Sequence, residues 1–210
     1  MIASHAPVAP ESRDYPSVVA ALADDELQLH PLEHHHLDDV RHQYADPAIA
    51  ALCNWPVFAD AAAWHDWFDE LRARQDHVLF GIRHRQWGLI GCAGLAAHDG
   101  AGLFHYWLGR DFRSQGYGSR AGRVLLDFAR DRCGLHACYA KVFADNHASQ
   151  RSLLKIGFRF TGVPIASPGE PKEHLLRWPD RCDHGASEAR RLFTALGTDI
   201  QVSFTRAKQP

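Results

Sequence analysis

One stretch of the chain has the residue types and spacing to hold an anion. It runs Gly109-Arg110-Asp111-Phe112-Arg113-Ser114-Gln115-Gly116-Tyr117-Gly118-Ser119. Within Arg113-x-x-Gly116-x-Gly118, two glycines let the backbone turn tightly and bring its N–H groups close to a ligand. A helix starting after Gly118 would aim the positive end of its dipole at the same point, which suits a pyrophosphate. No Gly-Lys-Ser/Thr follows, so this is not a P-loop, and with no third glycine it is not a dinucleotide fingerprint. The turn alone leaves two readings: an anion site, or an ordinary strand-to-helix connection.

A strand must feed this turn and a helix must leave it. Residues 103–108 are aromatic and strand-like, and Val124, Leu125, Phe128 and Ala129 mark a helix ending near Gly134. Downstream, residues 138–143 read as a strand, 148–156 as a helix, 158–162 as a strand, 164–171 as a loop and 174–178 as a last short strand. Upstream, residues 27–32 alternate at the strand period, and Leu37, Val40 and Tyr44 mark a helix before a loop at Asp46-Pro47. Asn54-Trp55-Pro56 breaks the next segment. Trp64, Trp67, Phe68 and Leu71 predict an amphipathic helix between Asp60 and Arg74. Residues 77–83 and 88–95, joined at Arg85-Gln86, predict a hairpin. The pattern is a mixed α/β (α+β) fold.

A second motif gives the turn a context. Asn146-His-Ala-Ser149-Gln-Arg-Ser-Leu-Leu-Lys155-Ile-Gly157-Phe158 follows the strand after the helix. Together with Tyr106-Trp107-Leu108 ahead of the turn, it resembles the GCN5-related N-acetyltransferase (GNAT) superfamily. Within that superfamily it is most similar to the branch of ribosomal-protein N-terminal acetyltransferases. The resemblance covers residues 26–180, leaving a leader at 1–25 and a C-terminal extension at 181–210. In the extension, Ser187 is placed to cap a helix stopped by Gly197, and Ile200, Val202 and Phe204 alternate as an extra strand. That strand could pair with a second subunit or cover a sheet edge.

The resemblance implies an acyl-CoA N-acyltransferase fold: a strongly bent mixed sheet flanked by helices, splayed between a fourth strand at 103–108 and a fifth at 138–143. Acetyl-CoA would wedge into the gap. Its pyrophosphate would lie on the backbone of Arg113, Ser114, Gln115, Gly116, Tyr117, Gly118 and Ser119. Its pantetheine arm would meet the backbone of Trp107 and Leu108 and the side chain of Asn146.

The implied reaction is direct attack of an amine on the thioester. An alkylammonium, with a pKa near ~10, must first lose a proton. The oxyanion would be held by backbone N–H of the fourth strand. Many relatives place a tyrosine for the leaving thiolate where this chain has Leu153, while Ser149 matches the serine of the ribosomal-protein branch. Ser149 is thus the candidate thiol partner, or else a helix-start serine bonding its own backbone. Relatives often carry a glutamate where this chain has Leu103. His105 lies two residues on, on the same strand face, and an imidazole near ~6.5 could accept the proton. His105 could equally be a packed core residue, His98 and Asp99 are weaker candidates, and a neutral amine needs no base.

Composition narrows the partners. The 210 residues carry 23 basic and 25 acidic side chains, a net charge of −2 that argues against phosphate-neutralising nucleic-acid binding. Five scattered cysteines, Cys53, Cys92, Cys133, Cys138 and Cys182, include no CxxC pair, which speaks against zinc ribbons and disulfide frameworks. Cys92 reads as a small buried hydrophobe. His34-His35-His36 point in different directions on a helix, so no metal is expected. No membrane span is expected either, and the expectation is a cytoplasmic protein, possible as a homodimer. Trp55, Trp64 and Trp67 are either core or the wall of an acceptor pocket. The expected activity is acetyl transfer to a protein N-terminus or a small-molecule amine. The rivals are transfer of a longer acyl chain and a non-catalytic acyl-CoA-binding module.

Overall fold

Pro47 and Asp60 show how local chemistry sets the first helices. The computed structural model describes residues 20–21, 26–53, 55–179 and 185–202. Strands β1 (Ala20–Ala21) and β2 (Leu27–Pro31) lead through a 3-10 turn at His34–His36 into α1 (Leu37–Tyr44), α2 (Pro47–Cys53) and α3 (Ala61–Ala73). Asp60 caps α3, its carboxylate accepting from the Ala63 N–H at 2.9 Å. Where the sequence reading has only a loop at Asp46-Pro47, α2 begins. A proline is preorganised for a first helical position, and Asp46 accepts from the Ala48 N–H at 3.0 Å.

The sheet continues with the expected hairpin, β3 (His77–His84) and β4 (Gly88–His98), then β5 (Ala101–Leu108). After α4 (Tyr117–Asp131), β6 (Ala137–Phe143) and α5 (His147–Lys155) come the short β7 (Arg159–Phe160) and β8 (Ile165–Ala166), and then β9 (Glu173–Trp178). The sheet order is β1-β2-β3-β4-β5-β6-β9-β7. Every neighbouring pair is antiparallel except β5 and β6. That parallel pair registers only Ala101 with Ala137, Gly102 with Cys138 and Leu103 with Tyr139, and the strands part beyond it. The splay implied by the resemblance is therefore present. Leaving aside the two-residue β1, these are the fourth and fifth strands in chain order.

Strand alternation sorts the core onto two faces. On one, α4 and α5 bury Leu125, Phe128 and Leu153 with Phe80, Phe104 and Phe158. On the other, α1 and α3 bury Val40, Trp64 and Phe68 against Leu79, Cys92 and Trp107.

The segment set apart as a C-terminal extension also packs on that second face. Its helix α6 (Gly185–Ala195) buries Leu192 and Phe193 against Ala96, Tyr139 and Leu175, and β10 (Gln201–Val202) pairs with β8. The helix starts two residues before Ser187, and Gly197 follows its end with a φ of 66°. Arg177 meets Glu188 at 3.2 Å, and the Tyr139 hydroxyl donates to the same carboxylate at 2.6 Å, tying α6 to β6 and β9. Phe204 and all of the expected leader except Ala20–Ala21 lie outside the described residues. Among the described residues, no helix is long and apolar enough to cross a membrane.

Candidate active site

The glycine turn presents backbone donors. Gly116 has a φ of 86° and Ser114 one of 62°, two left-handed residues that swing the chain into α4. No side chain caps this end, and Ser119 Oγ instead donates to the Gly116 carbonyl at 2.9 Å. The Arg120 N–H is the first to return into the helix, to Gly116 O at 3.1 Å. The N–H groups of Tyr117, Gly118 and Ser119 therefore lack helical acceptors and stand at the positive end of a 15-residue helix.

Arg113 and Gln115 brace this turn. Arg113 Nε donates to the Leu108 carbonyl at 3.2 Å and its Nη2 lies 3.4 Å from Asp46 Oδ2. Gln115 donates to the Asp111 carbonyl at 2.6 Å. The Tyr117 hydroxyl lies 3.4 Å from His84 Nε2.

The parting of β5 from β6 opens a cavity of about 500 Å³ that runs through the sheet. Phe104, Tyr106, Asn146 and Ser149 line it on the α4/α5 side, and His77, His105 and Lys141 line it on the other. One edge of β5 is unpaired from Phe104 onward, free to bond an extended ligand. Asn146 caps α5, its Oδ1 accepting from the Ser149 N–H at 3.1 Å. That contact leaves the Asn146 amide N–H₂ as donor. Trp107 turns its side chain away from this edge into the second core cluster, where its Nε1 finds no partner among the described residues.

His105 sits in a space made by a glycine. A Cβ on its cross-strand partner Gly94 would stand 2.7 Å from His105 Nε2 and 2.7 Å from the Val78 carbonyl oxygen. The ring lies 6.2 Å from that of His77 and 6.0 Å from Trp55. Desolvation pushes the His105 imidazole down to about 3, helped by His77, and pushes His77 down to about 4. Both rings are neutral at ordinary pH.

Sequence reasoning missed His77, Tyr106 as a side chain, and a polar group at the far end of the cavity. There, Lys141 Nζ lies 2.9 Å from Glu173 Oε1, and Ser167 Oγ donates to Glu173 Oε2 at 2.7 Å. Thr198, Asp199 and Ile200 from the C-terminal segment complete that wall. Contacts between residues so distant in the chain leave no sequence signal. Only His77 had a clue, a histidine opening a strand beside His105. Trp55 lines the cavity, whereas Trp64 is core. His34 bonds Asp69 at 2.8 Å and meets His65 at 3.1 Å. Among the described residues, no group of three or more His, Cys, Asp or Glu is arranged to hold a metal ion.

The sheet thus opens at its one parallel pair, leaving an unpaired edge of β5 beside the cavity. The chain belongs to the GNAT acetyltransferases: the Acetyltransferase (GNAT) domain matches residues 26–159. Its family supports acyl-CoA-dependent acetyl transfer as the activity.

Three solved structures share the fold. Mycobacterium smegmatis RimJ in complex with CoA-disulfide is 18% identical, with a TM-score of 0.62 over 82% of this chain and 90% of that one. Spermidine N-acetyltransferase from Vibrio cholerae, in complex with CoA and spermine, is 16% identical, with a TM-score of 0.64 over 72% and 93%. A GCN5-related N-acetyltransferase from Brucella melitensis is 18% identical, with a TM-score of 0.66 over 80% and 84%.

Proposed function

We propose that this protein transfers an acetyl group from acetyl-CoA to a primary amine, by direct attack within a ternary complex. The passage through the sheet carries this reading. Asn146 and Ser149 line it on one face of the sheet and His105 on the other, so donor and acceptor can meet from opposite faces without a covalent enzyme intermediate. Cys53, which also lines the cavity, has its thiol pushed up to about 12 by burial and is a poor nucleophile.

The backbone of residues 113–119 would hold the pyrophosphate. Leu108 would offer backbone to the pantetheine arm from the open edge of β5, whereas the Trp107 carbonyl faces Gly91 on β4, and Asn146 would offer its amide. Backbone N–H on the open edge of β5 would hold the oxyanion, and Ser149 would face the leaving sulfur. His105 stays neutral, and a ring near 3 is a weak sink for a proton from an ammonium near ~10. It is suited to accept a hydrogen bond from an amine that arrives neutral, orienting the lone pair, while the proton leaves to solvent. The acceptor would be a protein N-terminus, as the resemblance to the ribosomal-protein branch implies, or a small amine, of which the spermine held by the Vibrio cholerae spermidine N-acetyltransferase is one example.

Calorimetric titration with acetyl-CoA, followed by thiol release against peptide N-termini and small amines, tests this reading. Binding with release is expected. Binding without release across the panel would instead favour a CoA-sensing module, and absence of binding would overturn the site.

A further inference from the structure

Two hollows meet at Trp55. One is the cavity through the sheet. The other is a groove of about 910 Å³ bounded by α1, α2 and the segment entering α3. Trp55 and Glu170 line both, so the groove continues the cavity on the face that carries His105. The Trp55 ring stands 5.1 Å from Trp67, 5.5 Å from Trp107 and 5.8 Å from Tyr44. The Tyr44 hydroxyl donates to the Pro56 carbonyl at 3.4 Å, which holds this segment against α1. Phe58, its ring 4.0 Å from that of Trp64, extends the aromatic floor. Val57 is 85% exposed on the groove and Leu52 is exposed on the cavity, and apolar side chains exposed together mark a binding surface.

We propose that the acceptor is a peptide N-terminus whose third residue carries an apolar side chain, seated in the groove over Tyr44, Trp55 and Phe58. The proposal rests on the acetyltransferase reading of the cavity. Each hollow alone is the size of a complete small-molecule site, ~300–1,000 Å³. A short amine needs only the part of the cavity that acetyl-CoA leaves, whereas the groove suits an acceptor that continues past its amine. The ring centres of His105 and Trp55 are 6.0 Å apart, and an extended chain advances ~3.3–3.6 Å per residue. With the amine beside His105, the second residue crosses Trp55 and the third reaches the groove. The groove is open at Val57, so the rest of a protein chain can leave into solvent. Its rim offers little to a second ammonium. Asp38 is met by Arg41 at 3.3 Å, and Asp60 caps α3. A polyamine would carry a charge from water onto an aromatic floor, while an apolar side chain gains by the same transfer.

The test reads binding by calorimetry on protein saturated with CoA, so it does not depend on turnover. The probes are the tripeptide amides Ser-Gly-Leu and Ser-Gly-Gly, with spermine as the polyamine. Ser-Gly-Leu amide should bind about tenfold more tightly than Ser-Gly-Gly amide, the worth of burying one leucine side chain. Val57→Glu on the exposed lip and Ala51→Arg on the groove wall should each remove that preference. CoA affinity should stay at the wild-type value in both, which also shows that the variants fold.

Equal affinity for the two tripeptides, or no binding of either to CoA-saturated protein, overturns the proposal. So does a preference that survives both substitutions, or spermine binding more tightly than Ser-Gly-Leu amide. Wild-type protein that does not bind CoA overturns the acetyltransferase reading itself, a distinguishable result.

Discussion

His105 was legible in the sequence as a histidine on the strand face it shares with Leu103, but its surroundings were not. Its place depends on Gly94 across the ladder, whose missing side chain admits the ring. Gly94→Ala should cost about 2 kcal/mol by overpacking against the ring and the Val78 carbonyl, measurable by denaturant unfolding. Acid sensitivity follows from the lowered imidazoles. His105 and His77 protonate near ~6.5 when unfolded but near 3 and 4 when folded, so as pH falls the unfolded chain takes up the protons first. Their contribution is present above pH ~6.5 and is lost toward the folded values, by about 2 kcal/mol each between pH 6.5 and 4.5. His105→Asn should flatten the stability profile over that range. A profile parallel to wild type would show that the ring is not held neutral by burial.

The turn into α4 separates two uses of glycine within one element. At Gly116 a Cβ would meet nothing within 4 Å, but the φ of 86° strains any other residue. Gly116→Ala should therefore cost about 1 kcal/mol through the backbone alone. Gly118→Ala should instead displace the Tyr106 ring, costing about 1–3 kcal/mol and weakening CoA binding. Thermal unfolding and calorimetry on both variants check this; equal losses would mean the phenol is not wedged against the helix. Other elements divide by how local their causes are. The amphipathic α3 and the helices α4 and α5 were readable. The start of α2 was hidden by a proline that reads as a loop, and two-residue β8 and β10 are too short to show alternation.

Taken whole, the molecule closes its second face with α6, and the Arg177–Glu188 pair is the polar part of that closure. The Arg177 side chain is only 10% exposed, so Glu188→Ala would leave a desolvated guanidinium with the Tyr139 hydroxyl but no carboxylate. The expected loss is about 3 kcal/mol in unfolding free energy. CoA affinity should stay near wild type, because the glycine turn belongs to the opposite helical layer. Unchanged stability would mean that the ion pair does not hold α6 in place.

The alternation of strands and helices, the glycine turn with its helix and the Asn146–Ser149 helix start were legible in the residues themselves, and together they sufficed for the family. These features are local: periodicity, caps and left-handed turns act over a few residues. Only in the assembled structure do β5 and β6 part after three registered pairs, does His77 meet His105, does the Tyr106 ring lie against Gly118, and do residues 198–200 wall the cavity. Each joins positions far apart in the chain, and the burial that sets their chemistry exists only once the sheet and its helical layers have assembled.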